Sequence, residues 1–371
     1  MDRTKWERKR IEEVCDKASS NIVLNRIEDN VGDYPLYGAS GYVKSIDFFH
    51  MEQPYVGIVK DGAGVGRVGV YPAKSSLVGT MQYIVPKKGC LLQYLSYGLQ
   101  SLHLDKYVSG ATIPHIYFKN YGKESIPFPS LSDQQSIVAE LDKLNELIAL
   151  KRKQLTDLDS LAQSLFYEMF GDPVVNEKGW EVKTLKEIVS NGCSISYGIV
   201  QPGNGVDNGI PVVRPVDMTE TFVFRQGLKQ TTKEISDSYK RTILKGNEIL
   251  MCVRGTTGLV ALATPELSGC NVTRGVTPIT CNDQNDRIFM YYQLLSAGIQ
   301  QHIADYTRGI ALKQINMQDV REIPLVAPPL LLQQSFAVKI EAIETEKQRI
   351  KSSLKDLETL LASRVQYWFD N

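Results

Sequence analysis

The chain has 371 residues, 43% of them hydrophobic, with 42 basic and 42 acidic side chains and no formal net charge at pH 7. That length predicts two or three domains, no run approaches the ~20 apolar residues of a membrane span, and zero net charge is not the usual footprint of a nucleic-acid binder. The charge is uneven, however: residues 133–172 hold eight acids and four bases, a net −4, which leaves +4 on the remainder.

The opening segment, MDRTKWERKR, is basic without a following apolar stretch, so it does not read as a signal peptide. Residues 15–100 read as short strands broken by turns: 34–43, 55–59, 66–71 and 81–85, separated by DGAG, KSS and PKKG. A helix with a Leu and Tyr face is predicted from Leu91 to Tyr107. The same grammar returns later, with strands at 209–218, 247–255, 259–265 and 275–282 and a helix from Arg287 to Tyr306. Both globular parts are therefore α+β and mostly strand. Six cysteines (Cys15, Cys90, Cys193, Cys252, Cys270, Cys281) lie far apart with no C-x-x-C pair. That argues against structural zinc and a disulfide scaffold and fits a reducing, cytoplasmic compartment.

From Asp133 to Phe170 the sequence steps 4, 3, 4, 3 through Ile137, Leu141, Leu144, Ile148, Lys151, Leu155, Leu158, Ala162, Leu165 and Met169. That period puts one apolar seam on an unbroken helix, roughly 57 Å long at ~1.5 Å per residue. Gly171-Asp172-Pro173 ends it. A second copy, each position displaced by 199, runs through Phe336, Ile340, Ile343, Lys347, Ile350, Leu354, Leu357, Leu361, Arg364 and Trp368. The two seams should pack on each other, with Lys151 and Lys347 as register-fixing polar positions. Gln134-Gln135-Ser136 recurs as Gln333-Gln334-Ser335, the segment from Trp6 to Val14 as Trp180 to Ile188, and Tyr107–Ile116 as Tyr306–Ile315. With two long copies the pattern is a duplication, not a solenoid. Its parts are domain 1 (1–131), first long helix (132–172), domain 2 (173–330) and second long helix (331–371).

Gly64-Val-Gly66-Arg-Val-Gly69 matches G-x-G-x-x-G, but Val-Tyr-Pro follows where a dinucleotide site needs a helix, so it reads as a turn between strands. Asp172 with Glu181-Val182-Lys183 mimics the loose acid…E-x-K spacing of metal-dependent nucleases, but Glu7-Arg8-Lys9 in the first copy has no comparable acid upstream. There is no Walker A loop, no H-x-x-x-H pair and no G-x-S-x-G elbow, and the four histidines are scattered. The sequence offers no catalytic or metal-ligating set. It does offer basic, amide and aromatic residues on turns. These are Tyr37, Ser40, Lys44, Lys60, Arg67, His115 and Lys119 in the first half, and Arg214, Arg254, Thr256, Arg274, Arg308, Lys313 and Gln314 in the second. Arg and Lys pair with guanine, Gln with adenine, and hydroxyls hold phosphates. Their place on loops of both domains points to binding.

The order of parts resembles the specificity (S) subunit of type I restriction-modification enzymes. The likeness is carried by Tyr34-Pro-Leu-Tyr-Gly-Ala-Ser-Gly41, by Gly246-Asn-Glu-Ile-Leu-Met251 running into Val253–Gly258, by Ile126-Pro-x-Pro129 with Gln134-Gln135, and by Phe170-Gly171-Asp172-Pro173 before Gly179-Trp180. It implies two mostly-strand target-recognition domains separated by two long antiparallel coiled-coil helices. Each domain would read one half of a bipartite site in double-stranded DNA. The helices would set the gap and dock methyltransferase (M) subunits, joined by restriction (R) subunits. No cofactor is implied for this chain itself. S-adenosylmethionine belongs with the M partners, since Asp172-Pro173-Val174-Val175 is not an adenine methyltransferase tetrapeptide. Two other readings share the features: a coiled-coil adaptor that binds only protein, and a stand-alone DNA-cleaving enzyme.

Overall fold

In the computed structural model, which describes residues 3–110, 112–310 and 312–370, the long helices run Leu131–Phe170 and Leu330–Phe369. Ser130 starts the first by accepting from the Asp133 amide at 3.2 Å. Gly171, at φ +77°, ends it. All twenty seam positions are buried or half-buried, whereas Glu146 on the polar side is exposed. The chain divides into two compact units. One holds residues up to Lys153 together with Lys351 onward, and the other is Gln154–Ile350. These limits cut both long helices in the middle instead of following 131/132, 172/173 and 330/331, so each unit owns half of each helix.

In the first unit Glu7–Arg10 pairs antiparallel with Ser125–Phe128. A four-stranded antiparallel sheet has the order Cys15–Ser19, Met81–Pro86, Tyr55–Val59, Val68–Tyr71. A three-stranded sheet places Tyr34–Gly38 between Gly41–Ile46 and Ser76–Leu77. The stretch 34–43, expected as one strand, is thus a hairpin turning at Ala39-Ser40, made possible by Gly41 at φ +109°. The expected helix from Leu91 ends at Ser101, since His103 adopts φ +48° and a 3₁₀ turn follows over Leu104–Tyr107. Its core joins Tyr94, Leu99 and Ile126 to Ile137 and Leu141 of one helix and Trp368 and Phe369 of the other. Those helix segments run antiparallel. Glu140 accepts from Arg364 Nε and Nη2 and from Trp368 Nε1, and Arg152 reaches Glu358 at 2.7 Å. The bonds from Arg364, ahead of that from Trp368, hold the Glu140 carboxyl below its ordinary pKa.

The second unit repeats the plan. Val182–Thr184 pairs with Pro324–Val326. Phe222–Val223, Val260–Ala263, Ile249–Cys252 and Val276–Ile279 form a four-stranded sheet in that order. Lys229–Thr231, Ile210–Val213 and Asn271–Val272 form another. The expected helix 287–306 is two, Arg287–Leu295 and Ala297–Asp305. Ser296 is extended between them, and Gln300 Nε2 donates to the Leu294 carbonyl at 2.7 Å. Phe166 and Phe170 pack against Phe289 and Phe336 with ring centroids 4.5–5.8 Å apart. Here the helix segments are linked by Lys347, only 6% exposed, whose ammonium lies 2.7 Å from both Asp159 and Glu344. Burial alone would depress its pKa, but the hydrogen bonds to the two carboxylates reverse this and leave it raised.

The repeated glutamines now have a role. Gln134, fully buried, accepts from the Leu91 amide and donates to the Gly89 and Pro129 carbonyls. Gln333 does the same with Asp286 N and Pro328 O. Each fastens the start of a long helix to the start of its domain's own helix.

Candidate nucleic-acid interface

In each unit two loops meet at one end of the larger sheet. The first joins antiparallel strands. Val59 and the turn that follows exchange bonds, Gly66 N to Val59 O at 2.8 Å and Val59 N to Arg67 O at 3.0 Å. No helix follows, and Gly66 sits at φ +88°, so the glycine-rich motif forms a hairpin turn, not a phosphate-cradling loop. The second unit closes its hairpin through the same pair of bonds, Gly258 N to Cys252 O at 2.9 Å and Cys252 N to Leu259 O at 2.7 Å.

The second loop is the repeated Tyr…Gly…Ile segment. Ser109 and His115 exchange both backbone bonds at 2.9 Å, Pro114 O accepts from Gly62 N at 2.8 Å, and Ile116 N donates to Lys60 O at 2.9 Å. In the other unit Arg308 and Gln314 exchange bonds at 2.8 and 2.9 Å, Lys313 O accepts from Gly255 N at 2.8 Å, and Ile315 N donates to Val253 O at 3.0 Å. Gly110 and Gly309 take φ +93° and +100°, and a Cβ on either would lie 2.4 Å from the carbonyl oxygen three residues on. Only glycine fits, twice, for the same reason.

These loops gather most of the sequence-predicted residues. In the first unit Lys60 and His115 sit on them, the ammonium of Lys60 3.3 Å from Asp61. Lys119 lies over Tyr117, whose ring also meets His115. Arg67 is exposed on the hairpin turn and donates to the Ala39 carbonyl at 2.7 Å, which tethers the turn bearing the exposed Ser40. Tyr37 and Lys44 are instead held within the framework. Tyr37 is half-buried against Tyr42 and Tyr71, and the Lys44 ammonium is occupied by the Ile27 and Glu28 carbonyls.

In the second unit Arg254, Thr256, Arg308, Lys313 and Gln314 share the paired loops, Arg254 half-buried and the others exposed. Thr307 and Thr257 hydroxyls join the two loops at 3.1 Å. Arg274 is exposed beside them, since its neighbour Gly275 accepts from Val253 N at 2.8 Å. Arg308 keeps a long 3.8 Å contact to Asp319. Arg214 differs, because its guanidinium is held two-pronged by Asp217 at 2.8 and 3.0 Å, which raises its pKa.

Sequence reasoning passed over the exposed Tyr117 and three exposed aliphatics on the glycine-tipped loops, Ile113, Ile310 and Leu312. The signal was available, because Ile113 and Leu312 stand at the same place in the repeat, three residues after Gly110 and Gly309.

Cations, amides and hydroxyls on rigid turns suit phosphate and base-edge contacts. Among the described residues no cluster of three or more His, Cys, Asp or Glu is placed to hold a metal ion. Asp172 caps a turn, accepting from the Val174 and Val175 amides, and Glu181 pairs with Lys183, so the nuclease-like spacing has structural uses. Burial pushes the thiols of Cys15, Cys90 and Cys281 up to about 12, which suits packing more than nucleophilic chemistry. Among the described residues no helix is long and apolar enough to cross a membrane.

The family profile described as "Type I restriction modification DNA specificity domain" matches residues 3–159 and 177–358. The chain is 21% identical over 259 residues to the type I restriction enzyme EcoBI specificity subunit of Escherichia coli, an alignment covering 63% of this chain and 54% of that one. It is 25% identical over 297 residues to the MjaIX specificity subunit of Methanocaldococcus jannaschii, covering 74% of this chain and 67% of that one. The chain thus spans about half the length of the first relative. Among solved structures, the crystal structure of a type I restriction-modification system S subunit from M. genitalium superposes with a TM-score of 0.58 at 15% identity, covering 99% of this chain and 96% of that one.

Proposed function

This chain belongs to the type I restriction-modification DNA specificity family, and we propose that it serves such a system as its sequence-reading subunit. Each globular domain reads one half of a bipartite duplex site, the long helices set the gap, and methyltransferase subunits dock on the chain. Those partners carry S-adenosylmethionine and the methyl transfer, and restriction subunits join the same assembly. The observation that carries this reading is the doubled loop pair. The same hydrogen-bonded scaffold stands in both units with different polar side chains on it, His115 and Asp61 in one where Gln314 and Arg254 stand in the other. A scaffold repeated with altered readers fits two half-sites of different sequence.

The test is to replace residues 1–130 with the matching domain of a relative, co-express the hybrid with a modification partner, and sequence the methylome. One half of the methylated motif should change and the other persist. A simultaneous change of both halves, or label transfer from S-adenosylmethionine to DNA by this chain alone, would overturn the reading.

A further inference from the structure

The glycine-tipped loops carry something that base reading does not explain. Ile113 is 62% exposed and Leu312 47%, at equivalent positions of the two repeats, and Ile310 beside Leu312 is fully exposed. Single exposed aliphatics are ordinary on a protein surface. These differ in three respects. Each loop is locked from both sides by backbone bonds and by a glycine that no other residue replaces. Cations share the paired loops with these tips or follow them closely in sequence, Lys60 and Lys119 in one unit and Arg308 and Lys313 in the other. The aliphatic character is retained in both copies, although the polar residues of the same loops diverge. A feature held in common by domains that read different bases serves what every duplex shares, its grooves and stacking.

Resting on the function proposed above, we infer that Ile113 and Leu312 are apolar wedges that enter a DNA groove against a base step while those cations hold the phosphates. The loops therefore anchor each domain on DNA without regard to sequence. An aliphatic side chain that presses on a base step loses water-exposed area and partly unstacks the step, the pattern of wedge-bearing DNA binders. Backbone bonds at the base of each loop suit this, because they hold the tip's position against the stack.

The probe is a mixed-sequence duplex carrying 2-aminopurine, whose fluorescence rises on unstacking, titrated with the complex of this chain and its methyltransferase partner. Wild type should brighten the probe. Ile113→Ala and Leu312→Ala should each abolish part of that signal and weaken binding by roughly tenfold, equally on target and non-target duplexes, with unchanged salt dependence. Arg308→Ala, by contrast, should reduce the salt slope by about one. Melting temperatures should not move, because both tips are exposed. Unchanged affinity and fluorescence in both alanine variants would overturn the wedge while leaving the proposed function standing. Loss of co-purifying methyltransferase with DNA affinity intact would overturn it in favour of a protein-docking loop. Failure of the wild-type complex to bind any duplex would remove both readings.

Discussion

Lys347→Met tests whether the buried ammonium holds the helix segments of the second unit together. Lys347 is 6% exposed, while the side chains of its partners Glu344 and Asp159 are 12% and 62% exposed. Leaving the nearly buried Glu344 carboxylate without its charged donor costs roughly 1.5–3 kcal/mol. The Asp159 arm, screened by water, adds only about 0.2–1 kcal/mol. Methionine preserves most of the stem packing, so the expected loss is about 2–4 kcal/mol. A cavity of about 380 Å³ lined by Glu344 itself, with Tyr292 and Ile340 among others, gives water access to the orphaned carboxylate and favours the lower end. Denaturant titration gives the total, and hydrogen exchange locates it: peptides from 154–170 and 330–350 should lose protection before those from 131–153. Glu344→Gln in the Lys347→Met background should restore part of the loss, since it removes the stranded charge. A Lys347→Met protein as stable as wild type, with no recovery from the second change, would refute the reasoning.

Leu158→Glu, at a half-buried seam position, should cost about 1–3 kcal/mol, whereas Glu146→Lys, whose side chain is 69% exposed, should stay within about 0.5 kcal/mol. Equal shifts in melting temperature would mean that the seam is not packed. The Glu140 carboxyl is held below its ordinary pKa by Arg364, so its contribution is present above the unfolded-state value and is lost as pH falls through the lower folded value. Glu140→Gln should therefore flatten the acid limb of the stability–pH curve of the first unit, and an unaltered limb would contradict the clasp.

The period-3.5 seams and the displacement of 199 made the long helices and the duplication legible, because a helix face and a repeat leave their spacing in the sequence. The central strands were also legible, as Tyr55–Val59 shows, where β-rich residues lie between turn signals. Short or polar strands were not. Glu7–Arg10 reads ERKR and becomes a strand only because Ser125–Phe128 pairs with it. The helix break at Ser296 is held by local bonds that periodicity does not encode, the Ser296 hydroxyl donating to the Gln293 carbonyl and Gln300 Nε2 to that of Leu294. Among the candidate site residues, loop chemistry anticipated that Arg67, Thr256 and Gln314 would be exposed. It could not foresee that Lys44 and Arg214 would find intramolecular partners, since those partners are set by local backbone geometry.

The division of both long helices between units has a consequence for synthesis. The second unit is one uninterrupted span, Gln154–Ile350, whereas the first needs residues from 351 onward. Trp368 and Phe369, both buried, fill the core built around Tyr94 and Ile126. On the ribosome, where domains generally complete in the order they emerge, the unit translated first must wait for the final helical turns. Its apolar core stays open throughout translation of the other unit, so a late premature stop would leave the earlier-made of these two units unfinished.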